Sequence, residues 1–495
     1  MIDIRVRKHD DYSVEFKIGF ITDNKLRDIN EFRINTWIFV PNGLDINRDT
    51  YSKREFYRDT KTNLRLITPI YKLQDILLEN RGPFPRLQKA ITTLTAGPSD
   101  SEELESYTYQ IKMLLCIVKS ALRSEVFGIQ GEQDEENIFV AVERFVANVR
   151  AIANRYRAFG EQLDISLVGK RQYEYYLFGD DFLGNIIEQH SFMLLKCLEK
   201  KQVSLFAEKM LLKLINEEFE YKKKRGFLVV DKGSSTHNSL VITQRNVLKK
   251  FVESDLFLQT VKKKDGAFIQ QFYYSIAAGI AMIFATVISF FATLRYGNFT
   301  TDLFIILVVS YMMKDRIKEL ARYYFSSQMS RKYFDNKSRL SIRHQEIGWI
   351  KEAFDFVGEE KLPEEVISLR NRTPLVEAEN EVYDEKIIMY RKLVSLSRED
   401  IEKYKEYRLS GINDITRFNL LNFTQKMDNP TIPLYLPNDH VGYEELEGNK
   451  VYPLYFILHC ESEENTYYKK FRVRFNRSGI KYIKELIVNK NDGKI

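Results

Sequence analysis

Residues Phe272 to Leu294 read FYYSIAAGIAMIFATVISFFATL, 23 positions without a charge. As a helix this run reaches roughly 35 Å, enough to cross a hydrocarbon core of about 30 Å with some tilt. Nothing of comparable hydropathy occurs elsewhere in the 495 residues. A membrane protein with most of its mass in water is therefore expected, and the remaining sequence has to fold around that segment.

A second apolar run, Leu303 to Met313 (LFIILVVSYMM), follows closely. Eleven residues are too few to span unaided, and counting back to Tyr296 gives 18. Charge placement favours a second crossing. Lys262, Lys263 and Lys264 precede the first run, Lys314, Arg316, Lys318 and Arg322 follow the second, and the connector Arg295 to Asp302 carries one charge of each sign. Lysine and arginine excess marks the cytoplasmic side. The expectation is a two-helix transmembrane hairpin over 265–313 in the inner (plasma) membrane, with both termini cytoplasmic. The seven basic residues then set topology and meet anionic lipid headgroups.

Boundary residues fit this reading. Phe272, Tyr273 and Tyr274 open the first helix, Tyr311, Tyr323 and Tyr324 lie near the same interface, and Tyr296 and Phe299 mark the opposite one. Thr300 or Thr301 can cap the second helix, with Asp302 favourable at its positive end. On the first helix Ala277, Ala281, Ala285 and Ser289 recur at four-residue spacing. Small residues so spaced let helices approach closely. This face is expected to receive the second helix of the hairpin, with a homo-oligomer seam as the alternative.

The parts outside the hairpin divide by periodicity. In 1–70, Ile2, Ile4 and Val6, then Val14, Phe16, Ile18 and Phe20 alternate with charged residues or glycine, and Phe32, Ile34, Thr36, Ile38 and Val40 form a third period-two face, as half-buried antiparallel strands do. Leu64 to Ile70 adds a possible fourth strand. In 71–264 the spacing becomes helical: Ile138, Val142, Phe145, Val149, Ile152, Tyr156 and Phe159 step by four and three, as do Tyr107, Ile111, Leu114 and Val118. A bundle of about four long helices is expected there, with a small hairpin or loop at Gly226 to Thr243 and a helix from Arg245 to Lys264 entering the membrane. The 314–425 region reads as helical, with helices near Gln345 to Val357 and Val382 to Lys405. The 426–495 region returns to β, where Val451 to Cys460 and Tyr467 to Phe475 bracket a polar turn. The fold class is thus α+β: mainly helical cytoplasmic arms with small antiparallel β regions at both ends. Each β region is near the limit for independent stability, so the two are expected to pool their strands or to pack on the bundle.

Motifs for chemistry are sparse. The N-terminus has no secretory or transit character, so the first span is expected to act as its own targeting signal. Three separated cysteines, Cys116, Cys197 and Cys460, suit a reducing compartment rather than a disulfide framework. Six scattered histidines lack metal-ligand spacing, and no phosphate-binding glycine loop or nucleophile elbow occurs. Asp180 and Asp181 form the one carboxylate pair weighed for a metal, with helix capping favoured. Lys222 to Arg225 reads as a solvated helix end. His459 and Cys460, adjacent on a strand, point to opposite faces. A net charge of +6 does not call for nucleic acid. No cofactor is expected. The sequence points to a two-pass, non-enzymatic scaffold, sensor or regulatory assembly with a cytoplasmic protein partner. The alternative is an oligomerising effector that perturbs the bilayer.

Overall fold

The structure, a computed structural model, describes residues 1–22, 28–95, 101–163, 169–201, 205–297, 300–343, 345–382, 384–403, 407–438, 442–463 and 465–488. Phe299 lies outside them. The chain forms two compact units, one of Met1–Leu64, Leu258–Tyr404 and Ser410–Ile495, the other of Arg65–Phe257 and Lys405–Leu409. The fold class is α+β.

Fourteen strands are found among the described residues, all in the first unit except the last two residues of β4: β1 (Ile2–Lys8), β2 (Ser13–Ile21), β3 (Ile29–Val40), β4 (Thr60–Leu66), β5 (Gln259–Lys264), β6 (Asn336–Ile342), β7 (Gln345–Val357), β8 (Lys386–Ser397), β9 (Gly411–Asn419), β10 (Thr431–Pro437), β11 (Tyr443–Asn449), β12 (Tyr452–Ser462), β13 (Thr466–Asn476) and β14 (Gly479–Leu486). A four-stranded sheet runs β1-β2-β9-β4. An eight-stranded sheet runs β14-β13-β12-β3-β8-β7-β6-β5, and β10-β11 form a separate ribbon. The two ends of the chain do pool their strands. Ile38 of β3 lies between Phe456 of β12 and Ile388 of β8, and Phe16 of β2 lies opposite Thr416 of β9. Pairing satisfies backbone groups that each short region alone would leave on an open edge.

Aromatic rings fill the space between the two sheets. Phe16 meets Phe456 at 5.2 Å between ring centroids and Phe20 meets Phe32 at 5.3 Å. A short helix α1 (Lys53–Asp59) is held by a capping box between Ser52 and Glu55, and it stacks Phe56 on Phe354 at 4.4 Å. The period-two faces that the sequence marks, Val14, Phe16, Ile18 and Phe471, Val473, Phe475, are all buried.

Three segments expected as helix are strand instead. Gln345 to Val357 is β7, and most of Val382 to Lys405 is β8. In β7, Ile347, Ile350, Phe354 and Val357 imitate a helical face by spacing. The strand lies inside a broad sheet with buried residues on both faces, so alternation is erased. Gln259 to Lys264 is β5, an exposed edge strand; its three lysines discourage further pairing at that edge.

The second unit contains six helices among the described residues: α2 (Phe84–Thr95), α3 (Ser101–Gly131), α4 (Glu135–Gln162), α5 (Lys170–Lys201), α6 (Leu205–Lys224) and α7 (Ser235–Glu253). The seam from Ile138 to Phe159 on α4 and the Tyr107 to Val118 series on α3 are buried as their spacing requires. Of the hairpin or loop expected at Gly226 to Thr243, Gly226 to Ser234 is a loop and the rest is helix. Ser234 accepts from the His237 N–H and starts α7 there.

Between β5 and β6 the chain makes a helical hairpin, α8 (Ala267–Tyr296) and α9 (Thr301–Lys332). Thr300 caps α9 through the Leu303 N–H, with Asp302 in the first turn. Of the two helices only α8 is long and apolar enough by composition to cross a membrane. The apolar part of α9 ends at Met313, and charges begin at Lys314. The expected pair of transmembrane helices is therefore one helix of membrane length with an antiparallel partner.

Candidate functional site

The hairpin and its root in the eight-stranded sheet carry most of the residues that the sequence singles out. Ala277 and Ala281 are buried, while Ala285 and Ser289 are half-buried. Ser310 on α9 approaches the Ala285 carbonyl oxygen at 3.5 Å, and Ser289 donates to the same oxygen at 2.8 Å. Near the root Tyr273 stacks on Phe325 at 5.1 Å and the Arg322 guanidinium lies 5.6 Å over Tyr274. The small-residue face thus receives α9 of the same chain. The outer flanks Ile283, Phe290, Phe291, Phe304 and Met312 remain exposed. Ala281→Leu is expected to force the helices apart and lower stability by about 1–3 kcal/mol, whereas Ile283→Leu should be nearly neutral. Thermal unfolding in detergent measures both, and equal tolerance would mean that the face is not a contact.

The basic residues divide into several roles. Lys262 reaches from β5 to within 3.8 Å of Glu352 and sits 4.6 Å over the Tyr57 ring, so it belongs to the sheet's polar network as well as to the flank. Lys264 donates to Gln270 at 2.7 Å, and exposed Lys263 lies across from Lys337. Lys314 covers the Tyr311 ring at 3.8 Å, Lys318 is half-buried, Arg322 is half-buried over Tyr274 of α8, and Arg316 is exposed.

Two aspartates brace the root. Asp265 accepts from the Phe334 N–H at 3.3 Å and pairs with Lys351 at 3.2 Å. Asp335 accepts from Lys53 at 2.6 Å, the Tyr57 hydroxyl at 3.0 Å and the Phe354 N–H at 2.8 Å. Gly266 between strand and helix has φ of 66°, and a Cβ there would lie 2.9 Å from the Tyr333 ring. Both facts require glycine at this turn. An open cleft of about 550 Å³ lies here, lined by Arg54, Lys264, Gln270 and Tyr333 among others. Burial, then Asp335 and Glu352, hold the Tyr57 hydroxyl far above its ordinary pKa, so it stays a donor.

Next to this root, inside the sandwich, is a charge cluster that sequence reasoning did not find. Lys392 on β8 is 2% exposed and its ammonium bonds the Asp414 carboxylate of β9, with Thr416 Oγ1 at 3.3 Å and Glu352 at 3.4 Å. The Tyr390 hydroxyl donates to Glu352. Burial opposes charge on Lys392, yet Asp414 and Glu352 outweigh it and raise its pKa. Burial likewise opposes charge on Glu352, and Lys392, Tyr390 and Lys262 bring its pKa below the usual range. A cavity of about 40 Å³ adjoins, lined by Thr36, Thr60, Lys392 and Thr416 with Phe16 and Phe456. The signal was present: Lys392 shares the inward face of Ile388, Val394 and Leu396, and Asp414 that of Ile412 and Phe418. Opposite charges on core-facing positions ask for each other.

In the helical unit Asp180 and Asp181 are not drawn together around a metal. Asp180 pairs with Arg157 at 3.2 Å and accepts from the Tyr221 hydroxyl at 2.6 Å, while Asp181 accepts from Asn185 at 2.9 Å. Among the described residues no group of three histidine, cysteine or acidic side chains is placed to hold a metal ion. Lys222 is not a solvated helix end: it is 1% exposed and bonds Glu188 at 3.0 Å and Asn185 at 2.9 Å. Cys460 is buried, its thiol pushed up to about 12 by that burial, and His459 on the other face stacks on Tyr468. Comparison with family models, with curated proteins and with solved structures gives no match for this chain.

Proposed function

We propose that this chain is a membrane-anchored, non-enzymatic scaffold, sensor or regulatory assembly at the cytoplasmic face of the inner (plasma) membrane. Its anchor is the α8–α9 hairpin. The observation that carries this reading is the pairing of β5 with β6, from Gln259 opposite Ser341 to Lys264 opposite Asn336. The hairpin leaves and re-enters the same sheet edge, so a chain that enters a bilayer through α8 must return to the side it left. In this reading α8 crosses by its own length and α9 crosses packed on the small-residue face, with both termini on one side. Lys262, Lys263 and Lys264, which precede the uncharged run, meet anionic headgroups at the root.

The polar network supports a mechanical rather than a chemical role. Lys392, Asp414 and Glu352 satisfy one another out of reach of solvent, and Lys262, Tyr57 and Asp335 continue the polar contacts from Glu352 to the hairpin root. A change at the anchor then has a contiguous path into the sandwich. A cytoplasmic protein partner completes the proposal, and nucleic acid is not among the partners. Reporter fusions at Met1, after Tyr296 and after Ile495 test it. The expected result places the two termini on the cytoplasmic side and Tyr296 on the other. Termini on opposite sides would sink the hairpin anchor.

A further inference from the structure

We infer that, within the bilayer, the outward face of α9 around Asp315, Arg316 and Glu319 is buried against the same face of a second copy of this chain. The inference rests on the membrane reading above and concerns what covers the hairpin there.

The register between the two helices is set by three contacts: Ala285 with Ser310, Tyr274 with Arg322, and Tyr273 with Phe325. Antiparallel packing then puts Asp315 and Arg316 at about the level of Ala281 and Ile280, and Glu319 near Ala277. If the uncharged run from Phe272 lies in hydrocarbon, those levels are about 13 Å and about 7 Å inside its edge. Lys314, Ile317, Lys318, Ala321 and Arg322 are half-buried, Arg322 over Tyr274 of α8, whereas Asp315, Arg316 and Glu319 are exposed; helical phase puts these three on the side opposite buried Leu303 and Ser310. In a lone hairpin Asp315 and Arg316 would face acyl chains, which offer no hydrogen bonds, and Glu319 would have only the long approach to Arg322 of its own helix at 3.9 Å. Short Asp315 cannot escape by snorkelling, because side chains on α9 tilt towards its N-terminus, away from the basic root.

A second copy resolves the conflict. The face carries both signs, so Arg316 of one copy can pair with Asp315 or Glu319 of another. The same side continues towards the connector through Ile305, Val308 and Met312, all exposed and spaced by three and four. The seam is thus apolar near the connector and self-complementary in charge near the root. It lies opposite the small-residue face, which the chain's own α9 already occupies.

Labelled full-length protein in vesicles, counted by single-molecule photobleaching, tests this. One variant makes the face basic (Asp315→Lys with Glu319→Lys) and another makes it acidic (Arg316→Glu). The natural chain is expected in spots of two or more copies. Each variant alone should lose at least two-thirds of those spots, and mixing the two variants should restore them as two-colour spots. Single copies for the natural chain at every density, full assembly by the charge variants, or no re-pairing on mixing would each overturn the inference. Release of the natural chain from vesicles by an alkaline carbonate wash, measured before counting, would instead remove the membrane anchor itself and this seam with it.

Discussion

Replacing Lys392 with methionine is expected to lower the stability of the β-rich unit by about 3–5 kcal/mol. The lysine side chain is 3% exposed and Asp414 is fully buried, so the substitution leaves a carboxylate in the sandwich with its cation gone. Glu352 keeps its bond from Tyr390 and its weaker approach to Lys262. The double change Lys392→Met with Asp414→Leu should be milder than the sum of the two single changes, because it removes the pair rather than half of it. Both tryptophans, Trp37 on β3 and Trp349 on β7, sit in the eight-stranded sheet, so their fluorescence in a denaturant titration reports this unit. A Lys392→Met chain as stable as the natural one would end the view of this cluster as an internal strut.

The pH dependence follows from the directions of the two shifts. Lys392 is raised, so its contribution is complete below its ordinary value of 10.5 and is lost as pH rises through its folded value. Glu352 is lowered, so its contribution is complete above 4.5 and is lost as pH falls through its folded value. The stability gap between the natural chain and Glu352→Gln should therefore be flat across neutral pH and narrow below 4.5.

A comparably large effect is expected at one lysine of a basic run whose neighbours should be almost silent. Lys222→Ala should cost about 3 kcal/mol or more, since it strips the ammonium from buried Glu188 and opens a space beside Gly184. Glu188 retains Arg245 at 2.7 Å, which sets the lower end of that range. Lys223→Ala and Lys224→Ala, both at exposed positions, should change stability by less than about 0.5 kcal/mol. Thermal melting followed by far-ultraviolet circular dichroism reads all three. Equal effects along the run would mean that Lys222 is solvated after all.

These two sites show how far the residues were legible in order. The Lys222 to Arg225 run reads as a charged helix end because composition alone cannot say which way a side chain turns. Helical phase was the available clue: Lys222 lies four residues after Glu218 and seven after Ile215, both buried. At Lys392 and Asp414 the clue was a charge on the inward register of an otherwise apolar strand. Neither clue names the partner, because Lys392 and Asp414 meet only when β8 and β9 are brought to facing positions across the sandwich.

The sequence by itself determined what depends on neighbours along the chain. The alternation in β1, β2, β3 and β13, the three-four seam of α4 and the charge-free length of α8 all report burial of one face, or of every face, within a single element. Tertiary structure alone decided the rest. Strands from the two ends of the chain, β3 and β12 to β14, share the eight-stranded sheet because neither end has enough strands to bury its own apolar face. Gln345 to Val357 is a strand despite helix-like spacing because a central position in a broad sheet buries residues on both faces, and alternation then disappears. The small-residue face of α8 went to α9 of the same chain because the connector is short and holds the two helices side by side. Periodicity records how many faces are buried, while the identity of the burying partner is set by contacts between separate elements, from 22 residues apart at Lys392 and Asp414 to several hundred at Ile38 and Phe456.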